Sequence, residues 1–165
     1  MLHRTTLRTG HTLVELLVTL GTAALLAVAA GPSFAAWLLD LRRDATVSSS
    51  LHAIHAARQL AAIRGEDVSL CGSRAGLACS GLTDWSGGLL IATDGSLAQR
   101  SLPLGGNARL RSNRTEIRFA AGSGHASPAT LTICDRRGPA AARAVIVSRS
   151  GRPRATAAGE GVSAC

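Results

Sequence analysis

The sequence predicts an α+β chain: a long N-terminal helix, membrane-spanning in its first half, packed on a C-terminal antiparallel β-sheet domain. Three observations carry this reading. Between Glu15 and Asp40 no charged residue occurs, so residues 16–39 form an uncharged run of 24, long enough to cross a bilayer as a helix. Beyond it Val47, Leu51, Ile54, Ala57 and Ala61 recur at steps of four, three, three and four, which is one face of an amphipathic helix. After Gly65 the texture changes to short β-like runs broken by glycine.

Composition narrows the classes of function. A hydrophobic fraction of 46% is too high for a disordered chain. Aromatic residues make up 2% and tyrosine is absent, which argues against stacking of nucleobases on aromatic platforms. All 18 basic residues are arginine, whose planar fork grips phosphate or carboxylate. Residues 100–165 hold eleven of them against Glu116, Asp135 and Glu160, and so carry the whole net charge of +8. A region charged in that way seeks polyanions: nucleic acid, acidic lipid or an acidic protein face. With 165 residues there is room for one modest domain and not two.

The N-terminal segment admits three readings: a plain membrane anchor, a secretory signal with a small-residue site at Ala27-Val28-Ala29, or a signal cut before the apolar run. Arg4 and Arg8 precede the run and orient the N-terminus toward the cytoplasm. Glu15 decides among the three. A carboxylate near the start of a spanning helix costs a few kcal/mol unless it finds a partner, and a secretory signal has no use for it. The string Gly10-His11-Thr12-Leu13-Val14-Glu15 resembles the type IV prepilin consensus, a glycine at the cut and a glutamate five residues beyond. The resemblance implies a leader over residues 1–10, cleavage between Gly10 and His11 by a prepilin peptidase, and N-methylation of His11. It also implies that Glu15 pairs with a neighbouring subunit's N-terminal amine during filament assembly. Pro32, 22 residues past the cut, stands where pilins carry a helix-loosening proline. His11 departs from the family, which has phenylalanine there.

The expected organisation is a leader over 1–10, a transmembrane and filament-core helix over 11–39, an amphipathic continuation over 40–65, and a periplasmic β-rich domain over 66–165. Gly65 suits a C-cap, and Gly31-Pro32 should kink or loosen the helix. Strands are expected at 67–71, 88–93, 116–120, 130–134, 143–149 and 152–157. Asp94-Gly95 and Ser150-Gly151 serve as turns, and 72–86 and 105–114 as loops. Four cysteines in an exported domain favour disulfides and permit three pairings. Cys71–Cys79 would close a local loop and Cys134–Cys165 would tie down the tail. Zinc is the rival, but no C-x-x-C pair occurs.

The β-region adds a second resemblance. Leu70-Cys71-Gly72-Ser73, then Cys79, then Asp84-Trp85-Ser86-Gly87-Gly88 and Asp94 are similar to the GspH/FimT-type minor pilins. Val145-Ile146-Val147-Ser148, followed by Gly151-Arg152-Pro153-Arg154 and Cys165, fits the same pattern. What the resemblance implies is a low-abundance filament subunit at or near the tip, working with other major and minor pilins. Some members serve natural transformation and bind double-stranded DNA through the Gly-Arg-x-Arg motif, which falls here on Gly151, Arg152 and Arg154. Arg149, Arg143, Arg136 and Arg137 could widen that patch, gripping phosphates without reading sequence. The alternative is a structural tip or priming pseudopilin of a type II secretion system or adhesive pilus, acting through protein contacts only.

Other candidates carry less. Trp85 reads as a packing anchor, with Asp84 capping a turn beside it. His52 and His55 are three apart on the expected helix, but nothing joins them at ligand spacing, so a solvated face is expected and no metal. Ser48-Ser49-Ser50 reads as a polar helix face. No nucleophile elbow, phosphate loop or paired carboxylates occur, so neither an enzyme nor a cofactor is expected. The expected location is the inner membrane, single-pass with a periplasmic domain, then a surface pilus.

Overall fold

The computed structural model describes residues 12–74, 77–93, 96–100, 108–162 and 165. The chain divides into two compact units, Met1–Leu38 and Leu39–Cys165. The leader 1–10, Gly10 and His11 lie outside the described residues.

Helix α1 runs over Leu13–Arg64. Thr12 precedes it, and its Oγ1 accepts the Glu15 N–H at 3.2 Å, an N-cap at capping-box spacing. The helix continues without a break through Pro32, so the loosening expected at Gly31-Pro32 does not interrupt it. Proline removes a single intrahelical hydrogen bond, and its neighbours hold the helical path. Within the first unit Leu16, Leu17, Leu20, Leu25, Leu26 and Val28 are all exposed. The helix is long and apolar enough to cross a membrane, which is the solvent such a surface needs.

Among the described residues the second unit takes the rest of α1 and eight strands. These are β1 (Val68–Gly72), β2 (Leu89–Thr93), β3 (Ser96–Arg100), β4 (Arg109–Ser112), β5 (Glu116–Phe119), β6 (Ala129–Cys134), β7 (Arg143–Val147) and β8 (Pro153–Ala155). They form two four-stranded sheets, β3-β2-β1-β5 and β4-β6-β7-β8, where the sequence suggested one small sheet. All pairings are antiparallel. Alternation along the strands builds the core. In the first sheet Ile91, Leu70 and Ile117 stand in one row and Val68 pairs with Phe119 in the next. Leu131 and Val145 form a row of the second. These side chains meet Val47, Ala53, Ile54, Ala57 and Ala61 of α1 in one buried cluster. Small residues on that helix face let the strands approach closely, and Ile54, fully buried, contributes about 2 kcal/mol.

Two strands were not expected. β4 lies inside the stretch read as a loop, because Arg109 and Arg111 dominate its composition. They point out while Leu110 and Ser112 are buried, an alternation too short to recognise in four residues. β3 follows Asp94 and Gly95, which lie outside the described residues.

The tail folds over the outer face of the second sheet. Thr156 N–H donates to Ala144 O at 2.9 Å and Gly159 N–H to Ala142 O at 2.7 Å. A Cβ on Gly161 would lie 3.4 Å from Ile146 Cδ1. This cover explains why Thr132 and Ala144, paired on that outer face, are buried. Both disulfides form as expected: Cys71–Cys79 and Cys134–Cys165, with Cα–Cα distances of 5.6 and 5.7 Å.

Candidate nucleic-acid interface

The turn between β7 and β8 carries the Gly-Arg-x-Arg motif. Gly151 adopts φ +73°, a conformation open to glycine at little cost. Its N–H donates to Ser148 O at 2.9 Å, and Ser148 N–H donates to Arg152 O at 3.1 Å. Arg152 N–H reaches Ser148 Oγ at 3.3 Å. The turn is thus tied to itself by Ser148.

It is also wedged against two other segments. A Cβ at Gly151 would lie 2.2 Å from Gly124 O and 3.2 Å from Arg58 Cδ. Gly124 itself has φ +63°, and a Cβ there would lie 3.1 Å from Arg58 Cγ. Ala126 N–H donates to Arg149 O at 2.9 Å, and Gly122 N–H donates to Ala61 O near the end of α1 at 3.2 Å. Asp67 Oδ1 accepts Ala121 N–H at 2.9 Å. Helix end, the 120–126 loop and the motif turn are therefore cross-braced, and the turn is a fixed platform instead of a loose hairpin tip.

The arginines of the expected patch divide into two groups. β7 runs from Arg143, beside Ile133, to Val147, beside Ala129. The motif turn follows its far end, so Arg136, Arg137 and Arg143 stand at the opposite end of a five-residue strand, about 15 Å away. Two of those three are occupied. Arg137 Nη2 contacts Asp135 Oδ2 at 2.6 Å and Asp40 Oδ1 at 2.9 Å. Arg143 Nη1 contacts Asp44 Oδ1 at 2.9 Å, and its Nε donates to Thr156 O at 2.9 Å. The structure thus sets Arg136, Arg137 and Arg143 apart from the motif turn, with Arg137 and Arg143 engaged by acids. Arg137 and Arg143 hold the 135–142 connection and the tail to α1, together with Arg43, which reaches Ala141 O at 2.7 Å.

The pairing leaves its mark on acidity. Hydrogen bonding from Arg137, opposed by partial burial, holds the Asp135 carboxyl below its usual range. The same guanidinium lowers Asp40, and the two carboxylates in turn raise Arg137.

At the motif end the situation is reversed. Arg149, Arg152 and Arg154 are exposed, and among the described residues their side chains have no hydrogen-bond or ion-pair partner. Arg154 stands opposite Ile146 in the β7–β8 register. Arg58, half-buried on α1, also has no such partner among the described residues. Sequence reasoning missed it, because it is one arginine on a helix and only the fold brings it to the turn.

The Asp84-Trp85 motif is structural. Trp85 is fully buried, and its Nε1 donates to Leu82 O at 3.0 Å. Gly72 leaves the room: a Cβ there would lie 2.3 Å from Trp85 Cδ1. Asp84 accepts the Ser86 N–H at 3.0 Å, and hydrogen bonding from Ser86 holds its pKa below the ordinary carboxylate value. His52 and His55 line a shallow groove with Ser49, Gln59, Leu89 and Ile91.

Comparison with known proteins places the chain. The family model described as type II transport protein GspH matches residues 46–151. The chain belongs to the GspH family. The match ends at Gly151, so Arg152 and Arg154 lie just past it. Two solved structures share the fold of this GspH-family chain. The type IV minor pilin FimU of Pseudomonas aeruginosa is 19% identical with a TM-score of 0.54, covering 72% of this chain and 98% of its own. The minor pseudopilin EpsH from the type 2 secretion system of Vibrio cholerae is 16% identical with a TM-score of 0.51, covering 70% and 97%. No curated protein sequence matches the chain.

Proposed function

We propose that this GspH-family chain is a minor pilin that enters a type IV filament through the first half of α1 and binds double-stranded DNA, without sequence preference, through the β7–β8 turn. The observation that carries the DNA reading is the division of the arginines. At one end of β7, Arg137 and Arg143 are paired with Asp40, Asp44 and Asp135. Arg149, Arg152 and Arg154 are left exposed on a braced turn. Guanidinium groups held apart from carboxylates are available to phosphates, and contacts of that kind steer and hold DNA irrespective of sequence.

Filament entry rests on the apolar first half of α1 and on Glu15 in its first turn. In this reading the leader is cut between Gly10 and His11 by a prepilin peptidase, His11 is methylated, and the helix waits in the inner membrane with the β-domain in the periplasm. Glu15 then meets the terminal amine of a neighbouring pilin.

The test of the DNA reading is fluorescence anisotropy of a labelled duplex with the full chain in non-ionic detergent. Arg152→Gln/Arg154→Gln should lose most of the binding. Arg109→Gln/Arg111→Gln removes the same charge from β4, at the other edge of the sheet, and should lose little. Equal losses in the two variants would reduce the effect to general basicity. Absence of binding in the unaltered chain would leave a tip subunit acting through protein contacts alone.

A further inference from the structure

We infer that Arg58 of α1 is a fourth DNA-contacting guanidinium, so that the polyanion surface is assembled from a helix, the 120–126 loop and the β7–β8 turn. The inference rests on the DNA-binding reading above and adds a residue that lies more than ninety positions from the motif.

Three observations support it. The aliphatic stem of Arg58 lies along two left-handed glycines from different loops, with its Cγ beside Gly124 and its Cδ beside Gly151. Its Nε lies against the same two positions, 3.2 Å from a Cβ on Gly124 and 3.4 Å from one on Gly151, so the side chain is seated beside the turn. The head has no hydrogen-bond or ion-pair partner among the described residues, although Arg43, Arg137 and Arg143 on the same unit are all paired with acids. The acid nearest in the bracing network, Asp67, receives the Ala121 N–H instead. An arginine whose stem packs can leave its head in water, and this head is left beside the motif turn. One held by its stem and left open at its head suits an external phosphate.

The chemistry also fits the scarcity of aromatic residues. Among the described residues of this unit no phenylalanine or tryptophan is exposed for bases to stack on, so added affinity comes mainly from further phosphate contacts. Because Arg58 comes from a helix and Arg152 from a turn braced against it, the two backbone positions keep a set separation. A rigid duplex with regularly spaced phosphates gains from that preorganisation.

The experiment compares Arg58→Gln, Arg58→Lys and Arg152→Gln/Arg154→Gln with the unaltered full chain in non-ionic detergent. A short duplex is titrated at several salt concentrations, and melting temperatures are recorded alongside. Arg58→Gln should weaken binding about tenfold near 50 mM salt and flatten the slope of log affinity against log salt by about 0.9. Arg58→Lys should keep most of the affinity, and both variants should melt with the unaltered chain. Undiminished binding and slope in Arg58→Gln, with binding lost in Arg152→Gln/Arg154→Gln, would overturn the role of Arg58 and leave the motif site standing. Parallel losses of affinity and melting temperature in both Arg58 variants would make Arg58 a prop. No binding by the unaltered chain would instead overturn the DNA reading itself.

Discussion

Gly151 meets two constraints at once, a left-handed backbone at φ +73° and a carbonyl oxygen, Gly124 O, 2.2 Å from where a Cβ would sit. Gly151→Ala should therefore destabilise the fold by about 1–3 kcal/mol, read from denaturant midpoints, and loosen the platform under Arg152. The sequence marks Gly151 as a turn, but the second constraint belongs to a loop more than twenty residues away and is visible only in the fold. Trp85 was legible as an anchor, since it is the one tryptophan of the β-region and a large apolar ring there favours burial. Its complete burial predicts a loss of about 3–5 kcal/mol for Trp85→Ala. Asp135 gives a pH dependence. Its carboxyl titrates below the unfolded value of about 3.9, because Arg137 holds the charged form. Its contribution is therefore complete above the unfolded value and fades as pH falls through the folded one. Stability should decline below about pH 4. Asp135→Asn should be less stable at neutral pH and show a flatter decline in acid, with Asp40 accounting for part of what remains.

Elements were legible where their period was long. Val47, Ile54, Ala57 and Ala61 are buried as their spacing implied, while Leu51 is half-buried at the edge of the same face. Strands with β-branched alternation, such as Arg143–Val147 and Ala129–Cys134, announced themselves. Arg109–Ser112 did not, because two of its four residues are arginines facing solvent. What stayed hidden was the pairing between elements, and with it the split of one expected basic patch into two ends of β7. The disulfides were legible from local spacing and tail position. They differ in what they close: 8 residues for Cys71–Cys79 and 31 for Cys134–Cys165. Chain entropy assigns about 2.5 kcal/mol to the first and about 3.7 kcal/mol to the second. Cys134→Ser/Cys165→Ser should thus lower the denaturant midpoint more than Cys71→Ser/Cys79→Ser. It should also free the tail, seen as faster amide exchange at Gly159 and Glu160.

For the whole molecule the division at Leu39 has a consequence. The core cluster and both disulfides lie in Leu39–Cys165, so a fragment starting at Leu39 should stay soluble without detergent and unfold cooperatively. Glu15→Ala should leave that unit intact, judged by circular dichroism, and yet reduce recovery of the chain in sheared filaments; normal recovery would remove the assembly role assigned to Glu15. The central claim is that arginines kept clear of acids at one end of β7 grip DNA. The most direct measurement is the salt dependence of duplex affinity for the unaltered chain. Four phosphate contacts, from Arg58, Arg149, Arg152 and Arg154, predict a slope of log affinity against log salt of about −3.6, falling by about half when Arg152 and Arg154 are replaced by glutamine. A slope near zero, or one that the double replacement leaves unchanged, would contradict the claim.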